Sequence, residues 1–329
     1  MNAVAAFPMP HPLEQLFRPT VATNPIERLA DAINSALDVG YRGLGIFGFA
    51  RFGKSEAVQY LMHHPEWMGD RRAAFFRMDA PDGHKRSDTT FFKMCMALLG
   101  VRIPARATQV ELGAMVAGRL IEICQNAGTR LIVLFIDEAQ RLVPTDYENL
   151  VSLDNRMTQA GYYLFIAFVH QRDITGFTNE TIASNDHPPH VVGRFLIRKH
   201  EFTGLCDTEE AAYVLSRYDE GTEWPPGSAI SFTQHYACQA FANGFRMSQY
   251  ATRLWAMASN LRTEARLPPN WTWPMKTFEA TVVYLLTVIV PRTPSFESFT
   301  DQDLAEALHA SGLVELELSR HTYKPKGDQ

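Results

Sequence analysis

Gly48-Phe49-Ala50-Arg51-Phe52-Gly53-Lys54-Ser55 is the stretch that decides how this chain is read. It carries a glycine, four variable residues and then Gly-Lys-Ser, and each fixed position has a physical reason. The glycines let the backbone turn closely enough for its N–H groups to face phosphate oxygens. A helix opening at Lys54 aims the positive end of its dipole at the same anion. Lys54 then reaches the β- and γ-phosphates of ATP, and the Ser55 hydroxyl ligates its Mg2+. Strand, phosphate-cradling loop and helix are therefore expected in succession, with Gly48 through Glu56 as nucleotide-binding residues.

Further along the chain, Leu131-Ile132-Val133-Leu134-Phe135-Ile136 is apolar without alternation, the pattern of a strand buried on both faces. It ends in Asp137-Glu138, 83 residues beyond Lys54. Asp137 is the expected holder of Mg2+, through water, and Glu138 the general base that polarises the attacking water. The next apolar run, residues 163–169, ends in His170 and Gln171. Either side chain would lie beside the γ-phosphate as a sensor, and Gln171 is counted among the nucleotide-binding residues. Arg194, in Val192-Gly193-Arg194-Phe195, is suited to reach a neighbouring subunit's nucleotide and stabilise transition-state charge. Arg246, in Asn243-Gly244-Phe245-Arg246, opens a helix from which it would meet the phosphates. Lys54, Glu138 and Arg194 are thus the catalytic candidates, and Ser55 and Asp137 the metal ligands.

Around these motifs, strands are expected near residues 45–48, 73–78, 131–136, 163–169 and 200–202. Helices are expected near 26–37, 54–63, 91–99, 110–126 and 147–160. Strands alternating with helices imply an α/β fold, a parallel sheet covered by helices on both faces. Beyond residue 205 no buried strand runs recur, and helices over 208–218, 230–242 and 247–264 read as a smaller all-helical domain. The expected organisation is an extended proline-bearing arm over 1–20, a nucleotide-binding core over 21–204 and a helical lid over 205–266. Residues 267–329 form a C-terminal linker, helices and loose tail, with a helix near 301–311 capped by Thr300 and a polar end from Arg320. The arm and this last region are candidates for binding partners.

The chain has 329 residues, 46% hydrophobic and 20% charged, ordinary for a globular protein with a proper core. A net charge of −5 argues against a protein that coats nucleic acid with its whole surface, while leaving room for a local basic patch. Cys95, Cys124, Cys206 and Cys238 form no close pair and read as reduced, mostly buried thiols. No signal peptide is evident, and the most apolar stretch, 282–290, is too short to span a bilayer as a helix. A soluble intracellular protein with no membrane partner is expected.

Taken in order, the phosphate loop, Asp-Glu strand end, polar end of the next strand, Arg-Phe before the last strand and arginine in a helical region resemble the AAA+ ATPase layout. The resemblance covers about residues 20–262. Asp137-Glu138-Ala139-Gln140 is similar to the TnsC, TniB and MuB group of transposition ATPases, which implies a bacterial cytoplasmic protein. It implies ring or filament assembly with ATP on double-stranded DNA, coupling a target-selection protein or RNA-guided complex to a transposase, with hydrolysis controlling disassembly. DNA would be gripped at its backbone in a central pore, and the pore candidates are Lys85, Arg86, Lys93, Arg102, Arg106 and Thr108. The usual Asn, Ser or Thr sensor is here replaced by His170 or Gln171. Other AAA+ machines of replication initiation or secretion, and a nucleotide-switch scaffold with little hydrolysis, share the same core.

Overall fold

The computed structural model describes residues 10–83, 87–171 and 187–322. Its described residues fall into two compact units, one holding those of 26–50 and 54–202, the other those of 10–25, 51–53 and 203–322.

The first unit is built on five parallel strands: β1 (Gly43–Gly48), β2 (Ala74–Asp79), β3 (Leu131–Asp137), β4 (Tyr163–Gln171) and β5 (Lys199–Glu201). Their spatial order is β2-β3-β4-β1-β5, so β4 lies between β1 and β3. Parallel neighbours cannot be joined by tight turns, and helices carry the crossovers: Lys54–His63, Thr90–Leu98, Gln109–Asn126 and Pro144–Gln159. The unalternating apolar runs do what such runs predict. Ile132 to Ile136 and Leu164 to Val169 are buried on both faces, and Phe91, Phe92, Leu120, Leu134, Ile136 and Phe168 share one core. Thr108 opens the helix Gln109–Asn126 with a reciprocal capping box to Glu111. The expected α/β sheet, followed by a helical region, is the fold that forms.

The second unit is helical. Trp255, Trp271, Trp273 and Phe278 stack edge and face around its centre. Asp219, buried, accepts from the N–H groups of Met247 and Ser248. His11 and Leu13 of the N-terminal segment are buried in this unit, His11 against Phe232, His235 and Tyr236. Thr300 forms the expected N-cap, here a full capping box with Asp303. The helix expected over 230–242 is instead two five-residue helices, Phe232–Tyr236 and Cys238–Ala242, broken where Ala237 leaves helical dihedrals at φ −117, ψ 48. Cys206 and Cys238 are exposed rather than buried. Among the described residues no helix is long and apolar enough to cross a membrane.

The helix Leu313–Thr322 reaches past the point where the polar composition suggests a loose end. Burial explains it. Glu317, 3% exposed, accepts hydrogen bonds from both Arg262 and Arg320. Arg262 also donates to the Pro268 carbonyl and lies over the Trp271 ring. Removing one partner of a buried charge group is far more costly than replacing the whole group by apolar residues. Glu317→Ala is therefore expected to destabilise the protein by about 3–5 kcal/mol, seen as a lowered denaturation midpoint. The joint change of Arg262, Glu317 and Arg320 to Met should recover most of the loss. Equal midpoints for Glu317→Ala and wild type would show that the ion group contributes nothing.

Candidate functional site

The C-terminal ends of β1, β3 and β4 meet at one edge of the sheet, the edge where parallel α/β folds place ligands. Gly48 ends β1, and its register partner on β4 is Gln171. A Cβ at Gly48 would lie 2.5 Å from the Phe202 carbonyl oxygen, which is why no side chain fits there. The chain then leaves β1 and turns at Gly53, whose φ of +95 favours glycine. It enters the helix at Lys54, with exposed Glu56 in the first turn.

The two halves of the expected phosphate site are joined directly. Ser55 Oγ donates to Asp137 Oδ2 at 2.7 Å across 82 residues of sequence. Asp137 is buried, its Oδ1 accepts from the N–H of Glu138 at 3.0 Å, and Oδ2 also accepts from Arg77 at 2.9 Å. Lys54 Nζ donates to the carbonyls of Gly48 (2.6 Å) and Phe49 (2.8 Å), holding its charge over the loop. Ser55 and Asp137 offer only hydroxyl and carboxylate oxygen, the hard donors Mg2+ prefers, so the residues fit that ion.

Glu138 is held in a left-handed conformation at φ 53 between β3 and the short turn Ala139–Arg141. Gln140 spans from it to the next strand: its Nε2 donates to Glu138 Oε2 at 2.6 Å, and its Oε1 accepts from the Gln171 N–H at 3.0 Å. The two partners fix which end of the amide is which, because an N–H must donate and a carboxylate must accept. Arg141 stands 3.6 Å from the same carboxylate and pairs with Asp82. Arg77 and Gln140 are the carboxylate contacts to which motif reading gave no role. The available signal was a lone cation in the apolar run Ala-Phe-Phe-Arg-Met of β2, one strand from Asp137.

His170 is buried at the end of β4, its ring stacked on Phe47 with centroids 4.7 Å apart. Neither ring nitrogen has a hydrogen-bond partner among the described residues. Burial, then the nearby His187 and Lys54, lower its pKa to about 3. The imidazole is therefore neutral across the physiological range.

Arg194 lies on the π-helical turn Val192–Leu196 before β5. Its guanidinium bonds Asp154 Oδ2 (3.0 Å) and Asn155 Oδ1 (2.7 Å) of the same chain. Buried Asp154 also stands 3.3 Å from Arg42, close as an ion without hydrogen-bond alignment. In the helical unit, Arg246 donates to the carbonyls of Phe241 and Phe245 and lies 3.6 Å over the Phe241 ring. Arg51, Phe52 and Gly53 belong to that unit too. Phe52 is buried there beneath the Arg320 guanidinium, and Lys276 N–H donates to the Arg51 carbonyl. Of the DNA-contact candidates, Lys93, Arg102 and Arg106 are exposed. The Thr108 hydroxyl is engaged with Glu111 as a helix cap. Lys85 and Arg86 lie outside the described residues.

Comparison with known proteins locates these features. Residues 40–175 match the family model described as an AAA domain, a segment that contains β1 to β4, the phosphate loop and both carboxylates. The search of the curated proteins found no match. Among solved structures, the chain resembles the ORC1 protein of Aeropyrum pernix in complex with DNA, with 14% identity and a TM-score of 0.42. That match covers 92% of this chain and 86% of the other. Cdc6p from Pyrobaculum aerophilum gives 12% identity and 0.42, covering 91% and 83%. Drosophila ORC bound to DNA gives 11% and 0.44, covering 91% and 73%. The fold is an AAA+ P-loop core followed by a helical region.

The depressed pKa of His170 makes a stability prediction. The unfolded chain takes up this proton near pH 6.5 and the folded chain only near pH 3, so between those values the unfolded state binds more protons. Stability must fall as pH falls through that window, by roughly 1 kcal/mol per pH unit for this group. His11 and His200, both lowered to about 4 chiefly by burial, act in the same direction. Thermal unfolding followed by circular dichroism should show the midpoint dropping from pH 6.5 to 4.5, less steeply in His170→Phe. Identical slopes for the two proteins would mean that His170 is charged in the folded state.

Proposed function

We propose that this chain is an AAA+ ATPase that binds ATP with Mg2+ on the loop Gly48–Ser55 and hydrolyses it with Glu138 as general base. The Ser55–Asp137 hydrogen bond carries this reading, because it joins the metal-binding hydroxyl of the loop to the carboxylate of β3 at one strand edge. Lys54 and the helix N-terminus neutralise phosphate charge. Ser55 and Asp137 hold Mg2+, which when bound neutralises further phosphate charge. Glu138 takes the proton of the attacking water, oriented for it by Gln140. A second carboxylate beside the metal-holding one serves hydrolysis; binding alone does not require it.

Two arginines extend the site. Arg194 acts on the nucleotide of a neighbouring copy, exchanging its bonds to Asp154 and Asn155 for phosphate oxygens, and Arg246 acts from the helical region. The use we propose is nucleotide-controlled self-assembly on duplex DNA, with exposed Lys93, Arg102 and Arg106, together with Lys85 and Arg86, contacting the phosphate backbone. This is what the AAA+ resemblance implies, and it is shared by transposition and replication-initiation machines. The narrower assignment to transposition, with a transposase and a target-selection protein as partners, rests on Asp137-Glu138-Ala139-Gln140 and gains nothing from the comparisons.

Glu138→Gln should keep ATP affinity within about twofold and lower hydrolysis by at least about a hundredfold, leaving assemblies on duplex DNA that electron microscopy resolves and that persist in ATP. Wild-type turnover in this variant would remove Glu138 from the chemistry. Mixing Arg194→Ala with Lys54→Ala protein should restore hydrolysis that neither has alone. A mixture as inactive as its components would place Arg194 in a purely structural role.

A further inference from the structure

Asp137 is asked to do two things at once. Its Oδ1 is taken by the Glu138 N–H, so Oδ2 is the oxygen left to face a metal. That atom already accepts from two donors, the Ser55 hydroxyl at 2.7 Å and the Arg77 guanidinium at 2.9 Å. The hydroxyl bond is compatible with metal binding, since Ser55 keeps lone pairs to offer. The guanidinium is different: it puts a full positive charge on the carboxylate that Mg2+ needs.

The sheet register makes this contact intrinsic. Arg77 pairs with Phe135 and Asp79 with Asp137. Arg77 and Asp137 are thus diagonal neighbours on adjacent strands, pointing from the same face and within reach of a long side chain. Arg77 remains about a third exposed while Asp137 is nearly covered. A planar, delocalised guanidinium suits such a nearly covered carboxylate better than an ammonium does.

We propose that Arg77 is a positioning residue that competes with Mg2+ for Asp137 Oδ2, and so sets the Mg2+ concentration the site requires. This rests on the ATP-site reading above. Arg77 orients the carboxylate toward Ser55 and yields ground as the divalent ion approaches, so nucleotide loading without metal is indifferent to it and loading with metal is not.

The test is binding of a fluorescent ATP analogue to the full chain, first in EDTA and then across a MgCl2 titration. Wild type is compared with Arg77→Ala, Arg77→Gln and Arg77→Lys. Affinity in EDTA should agree among the four within twofold. The MgCl2 concentration for half-maximal enhancement should fall about fivefold in the Ala and Gln variants, as loss of one partly screened like charge implies, and lie between in Lys. A half-point unchanged or raised in both Ala and Gln variants, with normal binding in EDTA, overturns the competition alone. Three variants that fail to fold also overturn it and make Arg77 a structural prop. Wild-type protein that binds no nucleotide in either condition removes the ATP-site reading and this inference with it.

Discussion

The hydrogen bond from Ser55 to Asp137 constrains most of what surrounds it. It closes only if the helix starts at Lys54, one residue before Ser55, and if β3 ends at the same sheet edge as β1. Because β4 separates β1 from β3, the serine must reach across the end of an intervening strand. His170, the penultimate residue of that strand, is buried flat against Phe47 and leaves the space open. The approach of Phe202 to Gly48 shows the same economy of space on the other side of β1. Loop, sheet order and helix register are therefore one geometric problem with one solution.

Electrostatics then shapes the edge. Asp137 is met there by Arg77 and Ser55, and Glu138 by Gln140 and Arg141. Asp154, held by Arg42 and Arg194, lies near the opposite ends of the strands, where Arg42 precedes β1 and stacks on Tyr163 at the start of β4. The consequences differ with burial. Half-exposed pairs such as Arg141 with Asp82 contribute about 0–1 kcal/mol, so they position more than they stabilise. Asp154 is 3% exposed; its burial pushes the carboxyl pKa up while Arg42 and Arg194 pull it down. Losing either arginine leaves a poorly compensated charge, the expensive case. Arg194 therefore reaches a neighbouring nucleotide only if assembly supplies bonds that replace those to Asp154 and Asn155.

The fold was legible because its signals are local. The glycines and Lys54 mark the loop, and the unalternating runs that end in Asp137 and Gln171 mark two central strands. Those runs need no tertiary information beyond burial on both faces. Side-chain contacts between elements were not legible. Arg77 touches Asp137 only because β2 pairs with β3 in one register, and Gln140 reaches Gln171 only because β4 lies beside β3. Arg320 illustrates the same limit from the other end of the chain. Its polar neighbourhood reads as a tail, yet a buried partner, Glu317, draws it into a helix. The break at Ala237 has no glycine or proline beside it, and composition gave no sign of it.

Equilibrium binding of ATP to wild-type and Lys54→Ala protein bears most directly on the central claim, that this strand edge is a triphosphate site. Lys54 is the loop's own cation and donates to the carbonyls of Gly48 and Phe49. The expected result is micromolar-range binding in wild type and a loss of about a hundredfold or more in the variant, the effect of a charge-assisted phosphate contact. Equal affinity in the two proteins, both folded, would contradict the assignment of the site.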